Sequence, residues 1–333
     1  MRRKRSKISP LLVAGIWAIN LLGLAVAAIL LLGTPGQAAP AETGQAQPAP
    51  VLPVPSRTPA PGAIVLPSAT RSANTQIPGF EPSPVTGFGL AMTPTSIAPG
   101  SGPYSIGTSV AGRPIEVYVF GSGPKNRLIV AGIHGGSEWN TVALSELLIA
   151  YVRDHPDVVP QDITLHIVLS LNPDGLTRAH GPEGRVNEHG VDLNRNWPFN
   201  WQADWDRSGC WQSGSSTGGM YGGSEPETQA LMAYIQATTP DALISYHSAA
   251  LGIFAGGVPT LRESHQLARA LSKVGGYKYP PVNTGCQYTG DLTDWASSVM
   301  GIPAVDIELS THSSTDLAQN LEILHAFLNW EKK

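Results

Sequence analysis

A histidine and a glutamate on either side of a tight turn are the first residues in this sequence able to do chemistry together. In Ile133-His134-Gly135-Gly136-Ser137-Glu138 an apolar run ends, two glycines permit a sharp turn, and an acid opens the next segment. Imidazole nitrogen with carboxylate oxygen is a donor pair of catalytic zinc, which takes three protein ligands and keeps one position for water. The same residues have a plain structural use. A histidine before a glycine turn can simply hydrogen-bond locally, and a glutamate in a first helical turn suits the helix dipole. Further along lies Asn194-Arg195. Guanidinium grips a carboxylate through two parallel hydrogen bonds, so this pair can hold a substrate carboxylate or stand as a solvated loop pair. Asn172-Pro173-Asp174-Gly175 reads on its own as a turn.

Such residues need elements to position them. Residues 127–133, 163–171, 242–247 and 304–309 are apolar, β-branched runs of strand length. Apolar residues recur at helical spacing over 138–153 (Val142, Leu144, Leu147, Leu148, Tyr151), and again over 260–274 and 315–330. Ser224-Glu225-Pro226-Glu227 predicts a capping-box start for a helix running to about Ala237. Strands alternating with helices predict an α/β fold: a mixed, mainly parallel central sheet with helices on both faces. Open α/β sheets bind ligands beyond the carboxyl ends of their strands. His134, Asn172, His247 and Glu308 all fall at or just after such an end.

With these residues in view, the stretch from about 103 to 330 resembles the zinc carboxypeptidases, the M14 metallopeptidases, and their compact bacterial branch in particular. The resemblance is carried by the lead-in SVAGRPI, then HGGSEWNT, LNPDG, GRVNEHGVDLNRNWP, SEPETQAL, ISYHS and DIELS, all in the family's order. It implies one Zn2+ per chain held by His134, Glu138 and His247. It further implies that Asp192 orients the first histidine, since metal-bound imidazoles commonly give their second nitrogen to a carboxylate. Arg185 matches the arginine that polarises the scissile carbonyl, with Arg178 as its competitor, and Asn194 and Arg195 match the pair that binds the terminal carboxylate. Glu308 matches the general base, which takes a proton from an activated water and hands it to the leaving amine. Tyr288 is the nearest match to the family's mobile tyrosine. In the same loop, Asp291 would favour a basic or amino-bearing side chain if it faces the pocket. One departure stands out: three residues, rather than the commoner two, separate His134 from Glu138, and the paired glycines are what could absorb the extra one. Of the remaining histidines, His155, His265 and His325 read as structural and His166 as a buried strand residue. His180, His189 and His312 fall near the loops of the implied site.

The chain divides unevenly around this region. Residues 1–33 begin with Arg2, Arg3, Lys4, Arg5 and Lys7, and 11–33 are apolar apart from Asn20. About 20 apolar residues suffice to cross a bilayer, and basic residues before such a segment stay cytoplasmic. A single-pass signal anchor with the rest extracytoplasmic is expected. Cleavage near Gln37-Ala38-Ala39, giving a secreted protein, is the alternative. Residues 34–102 are a Pro/Ala/Thr-rich stretch too poor in apolar bulk to fold, and read as a disordered, semi-extended linker. Residues 103–333 form the catalytic domain and carry 14 Lys+Arg against 23 Asp+Glu. That acidity argues against nucleic acid as a partner. Cys210 and Cys286 are too few for a CxxC site; they are equally readable as one disulfide between two loops or as two free thiols. A monomer is expected.

The activity implied is zinc-dependent hydrolysis of the last peptide bond of substrates with a free C-terminal carboxylate, cell-wall peptides included. Two alternatives come from other classes. One is an N-acyl amino acid deacylase of the succinylglutamate desuccinylase and aspartoacylase type. The other is an inactive peptidase-like binding module on a stalk, although no ligand and no base is missing.

Overall fold

A computed structural model describes residues 102–332 apart from 179 and 211–215. The expected membrane-spanning segment at 11–33 and all but the last residue of the linker lie outside these residues. Among the described residues no helix is long and apolar enough to cross a membrane.

The four strands expected from sequence form the centre of a seven-stranded sheet. They are β3 (Lys125–Val130), β4 (Ile163–Val168), β5 (Ala242–Ser248) and β7 (Ala304–Leu309), with β1 (Tyr104–Thr108), β2 (Pro114–Gly121) and β6 (Ile253–Ala255) outside them in the order β1-β2-β4-β3-β5-β7-β6. The inner pairings β4–β3, β3–β5 and β5–β7 are parallel, whereas β1–β2, β2–β4 and β7–β6 are antiparallel. The expected mixed sheet is thus parallel only at its core, and half of its pairings are antiparallel. β3 and β4 also stop earlier than their apolar runs. Beyond them the two segments still bond to each other, with Ala131 N–H donating to Val168 O and Leu171 N–H to Ala131 O.

Alternation along each inner strand divides the apolar side chains between two cores. Ile129, Ile244, Val305 and Ile307 pack on one face beneath α1 (Trp139–Asp154), α3 (Arg262–Gly275) and α5 (Leu317–Leu328). Leu128, Val130, Leu243 and Ala304 pack on the other face against α2 (Pro226–Thr238) and α4 (Leu292–Ser298). Side chains two apart on a strand share a face, so Ser245 and His247 continue the Leu243 row. Asp306 and Glu308 continue the Ala304 row in the same way. The second face therefore turns from apolar to polar as its strands approach their carboxyl ends.

The α2 helix starts where expected but without a capping box. Its N-cap is Glu225 with no side-chain cap, Pro226 fills the first turn, and the Ser224 hydroxyl donates to the Glu225 carboxylate at 2.6 Å. The reason is competition: Glu225 and Glu227 both accept from the Asn187 side chain, at 2.8 and 3.1 Å. Glu227 also accepts from Val110 N–H at 3.0 Å. Asp174 in turn accepts from Ser109 Oγ, Ala111 N–H and Arg113 Nη1, at 2.7, 3.0 and 2.7 Å. The motifs SVAGR, NPDG, GRVN and SEPE, scattered in sequence, are bonded to one another and hold the loops at the site end of the sheet.

Candidate active site

His134, Glu138 and His247 come together at that end. One ligand atom from each lies within 4.8 Å of the others, and all three residues are buried. The turn that brings the first two into range depends on its glycines. Gly136 has φ +58°, and a Cβ there would strike the Gly181 carbonyl, while one on Gly135 would strike the backbone of Gly175. The extra residue between His134 and Glu138 is thus taken up as a short 3-10 turn, Gly136–Glu138, pressed against neighbouring backbone. His247 sits in β5, and its register partner on β7 is Glu308.

The hydrogen bonds decide which atoms face a metal. His134 Nε2 lies 2.9 Å from Asp192 Oδ1, and its Nδ1 lies 2.9 Å from Glu138 Oε1. With Nε2–H given to Asp192, Nδ1 offers only a lone pair to a carboxylate oxygen, a repulsive contact unless a cation shares it. On His247, Nε2 meets Ser245 Oγ at 3.0 Å and Asp306 Oδ1 at 3.4 Å, and Nδ1 lies 3.3 Å from Glu138 Oε2. Burial opposes a charged His247, but its bonds to Asp306 and Glu138 outweigh this and raise it to about 10. Burial likewise pushes the Glu138 carboxyl up, and its contacts with the two imidazoles hold it well below the usual range instead. The pocket thus demands positive charge at the point where the three donors converge, and two imidazoles with one carboxylate are a normal donor set for zinc. These residues fit the metal.

Around this centre each expected side chain has a place. Asp192 is fully buried and bridges His134 to Arg185, accepting from Arg185 Nε at 2.9 Å. Arg185 also donates to Glu138 Oε1 at 3.0 Å and faces a cavity of about 400 Å³. Arg178 is spent elsewhere, donating to the carbonyls of Glu183, Val186 and Asn187. Glu308 lines the same cavity, and its Oε2 is buried without a hydrogen-bond partner. Burial pushes its carboxyl up to about 8. Asn194 and Arg195 also line the cavity: Asn194 Oδ1 accepts from Leu292 N–H at 3.0 Å, and Arg195 Nη1 donates to Asn194 O at 2.6 Å. Tyr288 faces the cavity too, and burial followed by the charge of Glu308 raises its phenol.

Asp291 only half fits its expected part. It lines the cavity, yet one carboxylate oxygen caps α4 by accepting from Asp294 N–H at 2.8 Å. Burial, then the charges of Asp294 and Asp306, push its carboxyl well above the ordinary range. Asp294 and Asp306 share this cavity wall and were not among the residues read from sequence. Asp306 and Ser245 were findable in principle, since each lies two residues before a site residue on a strand and so shares its face. Of the histidines, His312 reaches the cavity and meets Ser248 Oγ at 3.1 Å. His180 stacks on Trp139 with ring centroids 4.6 Å apart, and His189 Nδ1 meets Glu225 at 2.7 Å. His155, His265 and His325 pack against tyrosines away from the cavity. Cys210 and Cys286, left open by sequence, are joined as a disulfide on the cavity rim.

Comparison with known proteins supplies the family. The sequence profile described as zinc carboxypeptidase matches residues 101–325. Murein peptide amidase A of Escherichia coli K12 is 33% identical over 159 residues, which are 45% of this chain and 59% of that protein. The match therefore falls short of two thirds of that relative's length. Carboxypeptidase M of Mus musculus is 29% identical over 165 residues, 44% of this chain and 34% of its own. Among solved structures, the murein-tripeptide amidase of Escherichia coli O157 superposes with a TM-score of 0.53 at 26% identity, over 71% of this chain and 95% of that one. With the profile spanning most of the sequence and the His-Glu-His group at the strand ends, the chain belongs to the zinc carboxypeptidase family.

Proposed function

We propose that this chain is a zinc metallopeptidase that removes the C-terminal residue from peptides that carry a free carboxylate, cell-wall peptides among them. Arg195 carries the reading. Its side chain is buried, it lines the cavity, and among the described residues no carboxylate lies within ion-pairing distance of it. An unpaired buried cation is costly unless something arrives to pair with it, and a planar guanidinium is matched by a carboxylate. Two relatives, one by sequence and one by structure, are named for murein peptides, which supports the cell-wall substrate class. The family profile favours peptides over N-acyl amino acids. The full set of ligands and base speaks against an inactive binding module.

The residues divide the work. Asn194 and Arg195 hold the terminal carboxylate, which sets the last peptide bond beside His134, Glu138 and His247. Zinc, when bound there, supplies Lewis acidity to the carbonyl and to a water. Glu308 is placed to accept a proton from the attacking water and return it to the departing amine. Arg185 presents a fixed positive charge to the developing oxyanion, where preorganised charge is worth most. Asp291, Asp294 and Asp306 give the wall an acidic character suited to an amino-bearing group on the released residue. We place the domain outside the cytoplasm, anchored by residues 11–33 or secreted after cleavage. The Cys210–Cys286 disulfide supports that placement, since such bonds persist in oxidising compartments.

The test is a peptide pair, one with a free C-terminus and one amidated, incubated with the zinc-loaded protein and read by mass spectrometry. Loss of one C-terminal residue from the free peptide alone is the expected result. Equal cleavage of both, or internal cuts, would overturn the reading.

A further inference from the structure

The Cys210–Cys286 disulfide joins two loops that meet over Arg195. Trp205 lies five residues before Cys210, and Tyr288 two residues after Cys286. The Arg195 guanidinium carbon is 5.3 Å from the ring centroid of Trp205 and 5.3 Å from that of Tyr288. Tyr288 is met edge-on by Phe254 at 5.4 Å, and Arg207 sits 4.5 Å from the Trp205 ring. The loops touch closely: Gly209 has φ +74°, and a Cβ there would strike the Thr284 carbonyl. Across a sequence separation of 76 the two cysteine Cα atoms are 4.6 Å apart.

Aromatic faces hold a guanidinium by its plane and take none of its N–H groups. A carboxylate in the place of either ring would fix Arg195 more strongly, but it would occupy the edge a substrate needs. The structure shows that edge largely unspent. Nη1 donates to Asn194 O, and among the described residues the buried Nε has no partner. Both rings sit on loops outside the sheet and its helices, and the disulfide is the covalent tie between those loops.

We propose that Trp205 and Tyr288, tied by the Cys210–Cys286 disulfide, form an aromatic brace that sets the Arg195 guanidinium for a substrate carboxylate. Trp205 is a positioning residue in this device, and the disulfide is part of the binding site rather than a remote staple. The proposal rests on the reading of Arg195 as the carboxylate clamp.

Binding is measured by calorimetry on the zinc-loaded full chain carrying Glu308→Gln, with an N-acetyl dipeptide as ligand and its C-terminal amide as control. Steady-state kinetics are run in parallel with Glu308 intact. Trp205→Leu should raise Kd and KM for the free acid roughly tenfold, the scale of a desolvated cation–π contact. The fall in kcat should be far smaller, and affinity for the amide should not move. Trp205→Phe should recover most of the loss. The double variant Cys210→Ala/Cys286→Ala should weaken the free acid in the same way, and adding Trp205→Leu to it should cost less than in the wild type, as coupled residues do. If Trp205→Leu leaves Kd within twofold while Arg195→Ala weakens it, the brace is refuted and the clamp stands. If Arg195→Ala itself changes nothing, the clamp fails and the brace with it. Should the double cysteine variant not fold, the Trp205 pair decides alone.

Discussion

Asp192→Asn probes the metal site without altering a ligand. Asp192 is wholly buried, with Oδ1 on His134 Nε2 and Oδ2 on Arg185 Nε, each at 2.9 Å. Burial alone would raise its carboxyl, but Arg185 and His134 outweigh that and keep it well below the usual range, so it is an anion at any working pH. The substitution has two consequences that add. His134 loses the charged acceptor that fixes its tautomer and strengthens Nδ1 as a donor. Arg185 loses one of two carboxylates and leans on the other, Glu138, 3.0 Å away and itself a ligand. Loss of such a partner typically weakens metal binding by about 10–100-fold, or about 1.4–2.8 kcal/mol. Because both consequences fall on ligands, the upper part of that range is expected. Zinc occupancy against a graded chelator, read by elemental analysis, gives the affinity, and circular dichroism checks the fold. An affinity within threefold of wild type, with the fold intact, would refute the argument that Asp192 acts through His134 and Arg185.

Three further perturbations have definite outcomes. Glu308→Gln should lower kcat by about 10²–10⁴ while zinc content stays at one per chain; equal loss of zinc would make Glu308 a structural residue instead. Asp291→Asn keeps the acceptor that caps α4 but removes an ionisable acid from the cavity wall, so preference for Lys over Leu at the released position should shrink by up to about fivefold. An unchanged preference would exclude Asp291 as a specificity residue. His166 is buried between Tyr234 OH and Asn126 Oδ1, at 2.6 and 3.0 Å, and burial lowers it from 6.5 to about 4. The unfolded chain therefore takes up this proton first as pH falls. Its contribution to stability is complete above pH 6.5 and lost on descent toward about 4, roughly 3 kcal/mol in all. Thermal melts of His166→Gln across this window should show a flatter pH profile than wild type, and parallel profiles would count against the assignment.

What was legible from sequence came from periodicity and burial. The four inner strands are buried on both faces, so they write themselves as largely apolar runs in residues 127–133, 163–171, 242–247 and 304–309. Two of the three antiparallel strands are short or mixed: β1 mixes Tyr104, Ser105 and Gly107, and β6 is Ile253–Ala255. Neither has enough alternation to register as a strand. Helix α4 escaped for a similar reason, its seven residues being too few to show a helical period. The ligands, Asp192, Arg185 and Glu308 were named through motif order, and the structure gathers them. Trp205 left no trace in sequence, because its place over Arg195 is set by two loops meeting through a disulfide whose pairing the sequence left open. Asp306 lies two residues before Glu308, and only the strand register shows that the two share a face. The capping box at Ser224 was a correct motif overruled by tertiary bonds to Asn187.

The rung that pairs His247 with Glu308 has a consequence for how such a chain could lose its chemistry. Ligand and base stand on neighbouring strands at the same height, so their separation is a property of the backbone ladder and not of any flexible arm. Side chains on a strand change faces at every residue. A single-residue insertion or deletion upstream in β7 would therefore present Ile307 or Leu309 to the metal and turn Glu308 into the apolar core on the opposite face. The zinc ligands would be untouched and the sheet could still zip, one step out of phase. A descendant with that slip would lose Asp306 and Glu308 from its cavity wall but keep its zinc ligands and its carboxylate clamp, so a peptide receptor lies one codon from a peptidase.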